Sequence, residues 1–142
     1  GIFFNIGLNT GKRALIRSVL EGNAYHCRWQ LESIRKKHPA RGPVRFVGGG
    51  AQSKAAGQIL ADVLAEDIEV PENPQSCGAL GAAVLTASGL GLIEKTEDVK
   101  KIIPLNNSYR PRHEYDELHG YRFTVFKDLY RRNKTNFRTL NG

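Results

Sequence analysis

The sequence predicts an α/β fold in which short strands pack with several helices, and three observations carry that expectation. A short apolar run, Val44 to Val47, leads through three glycines into an amphipathic helix, which is followed by the β-branched run Ile68-Glu69-Val70. Strand, helix and strand in that order make a parallel pair joined by a right-handed crossover. A long helical stripe precedes this unit, and an aromatic-rich helix closes the chain.

The elements follow in order. Ile2 to Leu8 is rich in β-branched and aromatic residues and ends in the turn cluster Asn9-Thr10-Gly11, which predicts a strand with Thr10 as cap of the next helix. In that helix, about 12–37, Ile16, Leu20, Ala24, Cys27, Leu31 and Ile34 recur at spacings of three and four as one apolar stripe. Pro39 stops it, and Arg35, Lys36, Lys37 and His38 suit its negative end. Beyond the glycine turn, Ala56, Ile59, Leu60, Val63 and Leu64 mark the buried side of a second helix. The third, about 78–88, is built mostly of small residues. Segment 89–112 reads as loop with one helical turn near Asp98 to Ile102. The last helix covers about 113–132, buries Leu118, Tyr121, Val125, Phe126 and Leu129, and gives way to a fraying tail.

With 142 residues the chain suffices for one domain with a core, and 40% apolar and 25% charged residues are ordinary for a soluble protein. No apolar stretch approaches the roughly 18 residues needed to span a bilayer. Cys27 and Cys77 alone make neither a disulfide framework nor a zinc site, so a reducing, cytoplasmic setting is expected. The chain has no Met and opens inside an apolar run, which reads as a piece of a longer protein. Its net charge of +7 favours a polyanionic partner, nucleotide phosphates and nucleic acid alike.

The most informative segment is Val44-Arg45-Phe46-Val47-Gly48-Gly49-Gly50-Ala51-Gln52-Ser53-Lys54. Three glycines between strand and helix permit a sharp turn and positive φ, and let a ligand touch the main chain beside a helix N-terminus. The same glycines also serve in a tight turn without a ligand. The spacing fails the P-loop pattern. It comes closer to the dinucleotide fingerprint, with Gly48 and Gly50 as its first glycines and Glu69 or Glu72 roughly 20 residues on as the ribose-binding acid. Ser53 stands where the third glycine belongs, which weighs against an NAD-binding Rossmann-type domain of an oxidoreductase without removing it.

Gly48-Gly49-Gly50-Ala51 with Ser53, then Gln58 to Leu64, then Gly78-Ala79-Leu80-Gly81-Ala82-Ala83 is similar to the C-terminal domain of the FGGY carbohydrate kinases. Ile2-Phe3-Phe4 and Arg17 to Tyr25 upstream, and Tyr109-Arg110-Pro111 downstream, extend the resemblance over nearly the whole chain, with wording closest to the xylulokinases. The resemblance implies part of the actin and hexokinase-like (ribonuclease H-like) ATPase fold, whose two domains close over ATP, Mg2+ and a sugar. It makes Gly48 part of the nucleotide-binding turn, places Gly49, Gly50 and Ala51 against the adenosine, with Ser53 or Lys54 at the ribose or base edge, and gives the small-residue helix a packing role. Cys77-Gly78 departs from the family's wording at one turn. The partners implied are ATP and a small sugar such as D-xylulose, with no membrane or nucleic acid and a homodimer as one possible assembly.

The family's phosphate turns and catalytic aspartate lie upstream of this segment, so residues 1–142 are expected to bind nucleotide without a catalytic residue of their own and to be inactive alone. Asp62 and Asp67 read as ordinary surface carboxylates, Cys77 as a small buried residue, and the four histidines as lacking metal-ligand spacing. The C-terminal stretch interleaves Arg and Lys with Tyr and Phe, as a single-strand nucleic-acid module does. Its helical apolar spacing favours an amphipathic helix docked on the domain instead.

Overall fold

The computed structural model describes residues 2–39, 42–93 and 103–141. Its order is α1 (Lys12–Lys37), β1 (Val44–Arg45), α2 (Lys54–Leu64), β2 (Ile68–Pro71), α3 (Cys77–Gly89), β3 (Leu105–Tyr109) and α4 (Asp116–Asn141). The sheet runs β1-β2-β3, with β1 and β2 parallel, as the strand-helix-strand unit requires, and β3 antiparallel on the far side of β2. Among the described residues no helix is long and apolar enough to cross a membrane.

The sheet is small, so its stability comes from what covers it. Ile68 and Val70 of β2 are buried, and with Ile59, Ala61, Val63 and Leu64 of α2 they form the centre of the core. Ser53 caps α2, its hydroxyl oxygen accepting from the Ala56 N–H at 3.3 Å. Strand β3, absent from the sequence reading, lies in the segment taken as loop; Asn106-Asn107-Ser108 has low strand propensity and pairs because β2 offers an open edge. Tyr109 at its end covers Gly57 of α2 so closely that a Cβ there would sit 2.4 Å from the ring. The helical turn expected near 98–102 lies outside the described residues apart from its surroundings.

Four further expectations are corrected. Residues 2–8 form no strand, and Ile2, Phe3, Phe4, Ile6 and Leu8 are all exposed, because a strand needs a partner and none stands beside it among the described residues. Thr10 does not cap α1: Gly11 holds that position, and the Thr10 hydroxyl accepts from the Gly7 N–H at 3.0 Å. Cys77, expected to be buried, is half-buried at the start of α3, a helix with no fully buried residue in which Leu85 is 72% exposed. The last helix does not fray after Arg132 but continues to Asn141.

The buried faces of α1 and α4 match the expected stripes only in part: Leu20, Ala24, Leu31 and Phe126 join the core. Ile16, Cys27 and Ile34 are exposed, as are Leu118 and Tyr121. The two helices instead run parallel and meet through Glu21, Tyr25 and Trp29 against His119, Arg122, Phe123, Phe126 and Tyr130. Positions 119, 123, 126 and 130 lie on one helical face, and aromatic rings bury more area per residue than the aliphatic side chains beside them. Polar members hid this face from a hydrophobicity reading.

Asp62 is the largest correction. It is no surface carboxylate: its side chain is 1% exposed, and Arg112 binds it through Nη2 at 2.6 Å, Nε at 3.2 Å and its backbone N–H at 3.0 Å. Gln58 Nε2 donates to the same carboxylate at 2.9 Å. Burial pushes its pKa up, but the Arg112 and Gln58 hydrogen bonds outweigh it and hold the group below the usual carboxylate range. Asp67, by contrast, is exposed as expected.

A lowered folded-state pKa means that stability from Asp62 is present above the unfolded pKa and is lost as pH falls through the folded one. Asp62→Asn is therefore expected to cost about 1.5–3 kcal/mol at pH 7, the range for hydrogen bonds to charged groups. Urea denaturation at neutral and acid pH checks it: the deficit should shrink as pH falls below about 4, the ordinary aspartate pKa of the unfolded chain, toward the lower pKa of folded Asp62.

His119 is 2% exposed, with Nδ1 2.8 Å from the Tyr25 hydroxyl. Burial pushes the Tyr25 pKa up to about 12, so the phenol stays un-ionised. Burial likewise lowers the His119 pKa, against the opposing charge of Glu21. The unfolded chain then takes up the proton first, and stability falls as pH drops below about 6.5, by up to about 1.4 kcal/mol per pH unit within the window. Denaturation at pH 7 and pH 5 should show this loss in the wild type and a smaller loss in His119→Gln.

Candidate functional site

Strand β1 ends at Arg45, and the chain turns through Val47 and Gly48 into a 3-10 helix, Gly49–Gln52, before α2 begins. Gly48 sits at φ 88°, in the region that favours glycine, so the positive φ expected of this turn falls at its first residue. Its N–H donates to the Pro74 carbonyl at 2.7 Å, tying the turn to the segment that follows β2. Gly49 and Gly50 open the 3-10 helix, where the first N–H groups have no intrahelical acceptor.

The glycines are not equivalent. A Cβ on Gly49 would meet nothing within 4 Å, so its outer face is open. A Cβ on Gly50 would lie 3.2 Å from the Phe46 ring, so that glycine is also needed for packing. Beside the turn lies a cavity of about 620 Å³. Ala51, Gln52 and Lys54 line one side, Asn73, Pro74, Gln75 and Ser76 another, and Asn106 and Asn107 of β3 the third.

Of the residues predicted for the site, Ala51 and Lys54 line the cavity, while Gly48, Gly49, Gly50 and Ser53 build the adjoining turn. Ala51 is buried beneath the turn and Lys54 is exposed. Ser53 acts as the cap of α2, which leaves its hydroxyl proton for another acceptor. The sequence reading missed Asn73, Gln75, Asn106 and Asn107. Their position depends on β2 and β3 pairing, and the cluster Asn106-Asn107-Ser108 looked like loop.

Other candidates have structural partners. Glu69, one of the two acids weighed for a dinucleotide ribose, faces Arg45 across the parallel pair at 3.5 Å. Cys77 begins α3 and is half-buried. In α4, Phe123 and Phe126 pack on Tyr25 and Trp29 of α1, and Tyr130 meets Trp29 edge-on while remaining 44% exposed. Among the described residues no group of three His, Cys, Asp or Glu side chains is placed to hold a metal ion.

Residues 1–90 match the FGGY family of carbohydrate kinases, C-terminal domain. The chain is similar to the xylulose kinase of Staphylococcus epidermidis, 27% identical over 135 residues that cover 94% of this chain and 27% of the relative. A glycerol kinase of the same species is 29% identical over 120 residues, covering 84% of this chain and 24% of the relative. Among solved structures, xylulose kinase from Rhodospirillum rubrum superposes with a TM-score of 0.81 at 25% identity, covering 96% of this chain and 28% of that one. Gluconate kinase from Lactobacillus acidophilus, at 20% identity, shares the fold with a TM-score of 0.75, covering 93% of this chain and 27% of that one. The chain thus spans about a quarter of the length of the relatives it matches. The match from Ile2 through the glycine turn to α3, together with the shared fold, places this chain in the FGGY family of carbohydrate kinases, in the part that forms their C-terminal domain.

Proposed function

We propose that this chain is the ATP-binding part of a sugar kinase that transfers the ATP γ-phosphoryl group to a sugar hydroxyl, with D-xylulose as acceptor. The observation that carries the reading is the open main-chain face at Gly49, between β1 and the capped start of α2, beside a polar cavity with Lys54 on its wall. Backbone without side chains accommodates a flat base or ribose at contact distance, and the helix start favours an anion. The choice of sugar rests on the likeness to xylulose kinases.

Phosphoryl transfer also needs a base on the acceptor hydroxyl and a metal-supported phosphate site. Asp62, the most buried carboxylate described, is fully engaged with Arg112 and Gln58 and does not supply that base. The exposed face of α3 and the exposed apolar residues 2–8 fit a unit that packs against further parts of a longer enzyme. Base, metal and sugar contacts belong, in this reading, to those parts, and the enzyme works in the cytoplasm.

The test is Gly49→Val in the complete kinase carrying this chain. The new side chain would project into open space, so thermal melting should be unchanged. Calorimetry should find ATP affinity weakened at least about tenfold, or about 1.4 kcal/mol, with xylulose affinity intact. Unchanged ATP affinity in the folded variant would refute the nucleotide role of the turn.

A further inference from the structure

We propose that Tyr109 is a positioning residue for nucleotide binding: its ring, seated on Gly57, sets how far the start of α2 stands from β3. This rests on the nucleotide reading of the glycine turn. The end of β3 and the segment after it run along one side of α2, in step with it. Lys54 shares the cavity with Asn106 and Asn107. One turn on, Gly57 lies under the Tyr109 ring. Gln58 Nε2 then donates to the Arg110 carbonyl at 2.9 Å, and Asp62 receives Arg112. Direct contact closes the last three of these steps, and the open one is the cavity. Tyr109 is the closed step that borders it.

Gly57 is buried in α2 and admits the ring because it has no side chain. A Cβ there would lie 2.4 Å from one ring carbon and 2.8 Å from two others. Even a tight contact of 3.4 Å would require helix and ring to part by about 1 Å. The ring is not free to swing aside, because Tyr109 packs on the hydrophobic core and pairs with Ile68 in the sheet. Asn107 pairs with Val70 two residues earlier, so it shares a face of the sheet with Tyr109. Displacing the ring therefore displaces a wall of the cavity. Alanine is the better helix former, so helix propensity gives position 57 no reason to lack a side chain. A misplacement of about 1 Å, even from a change distant from the chemistry, can cost on the order of a hundredfold in rate.

Calorimetric titration of ATP and of xylulose into the complete kinase, beside thermal melts, tests the proposal. The proteins compared are wild type, Gly57→Ala, Tyr109→Phe, Tyr109→Val and the double variant Gly57→Ala/Tyr109→Val. Gly57→Ala should weaken ATP binding about tenfold, part of what a misplacement of about 1 Å can cost, and leave xylulose binding intact. Tyr109→Phe keeps the ring and should bind ATP as wild type does, whereas Tyr109→Val should lose affinity. In the double variant the added methyl occupies space the ring has left. Its ATP affinity should return to within about threefold of wild type, where independent effects would multiply. A merely structural contact would shift the melting temperatures without separating ATP from xylulose. ATP affinity within about twofold of wild type in folded Gly57→Ala would overturn the proposal, as would equal losses for ATP and xylulose. Should Gly57→Ala fail to fold, equal ATP affinity in Tyr109→Phe and Tyr109→Val would overturn it instead. If Gly49→Val leaves ATP affinity unchanged, the nucleotide reading itself fails; if Gly49→Val weakens ATP and the Gly57 and Tyr109 variants do not, the positioning role alone is lost.

Discussion

The ion pair between Asp62 and Arg112 is the constraint around which the domain is arranged. Helix α2 lies between α1, α4 and the sheet, and Asp62 emerges from its buried face. A carboxylate left there alone would be expensive to desolvate. Arg112 meets it with a fork of donors from the segment joining β3 to α4, and 43% of the Arg112 side chain remains exposed, so its own desolvation is limited. The pair thereby sets where the chain leaves the sheet and where α4 begins. It also holds Tyr109 over Gly57, three residues before it. The glycine turn opens onto the same helix, so its position follows from how α2 is seated.

Around that centre the helices are joined by mixed polar and aromatic contacts. Arg28 reaches from α1 to the Val63 carbonyl at 3.1 Å, and Arg35 pairs with Glu66 just beyond α2. Between α1 and α4, Glu21 receives both Arg17 and Arg122, and the Tyr25 and His119 pair continues into a run of stacked and edge-on rings. Such an interface tolerates charge inside it because every buried charge has a partner. Much of the basic excess of the C-terminal region belongs to this architecture: Arg112 and Arg122 are in ion pairs, and Lys127 lies over the Phe123 ring while facing Glu32.

Two other parts of the unit are of another character. Helix α3 is mostly apolar with no fully buried residue, and the segment before α1 exposes five large apolar side chains. Exposed apolar surface of this extent marks a place of contact.

The sequence by itself determined the helix at 12–37, the helix after the glycine turn, the parallel strand pair, the glycine turn and the family, because each depends on local spacing or on a run of consecutive residues. Tertiary structure alone decided β3, since an Asn-rich segment becomes a strand when a neighbouring edge accepts its backbone groups. It decided as well that Asp62 is buried, because the arginine that neutralises it is distant in sequence and no periodicity links the two. The true face of α4 was concealed for a related reason: its anchors include His119, which hydrophobicity scales score as polar and which Tyr25 makes tolerable inside. The glycine half of the candidate site was legible as a motif, while its carboxamide half was not. Residues 73–76 and 106–107 meet across a sheet that forms through long-range pairing, and which amides face one cavity is settled only when that pairing exists.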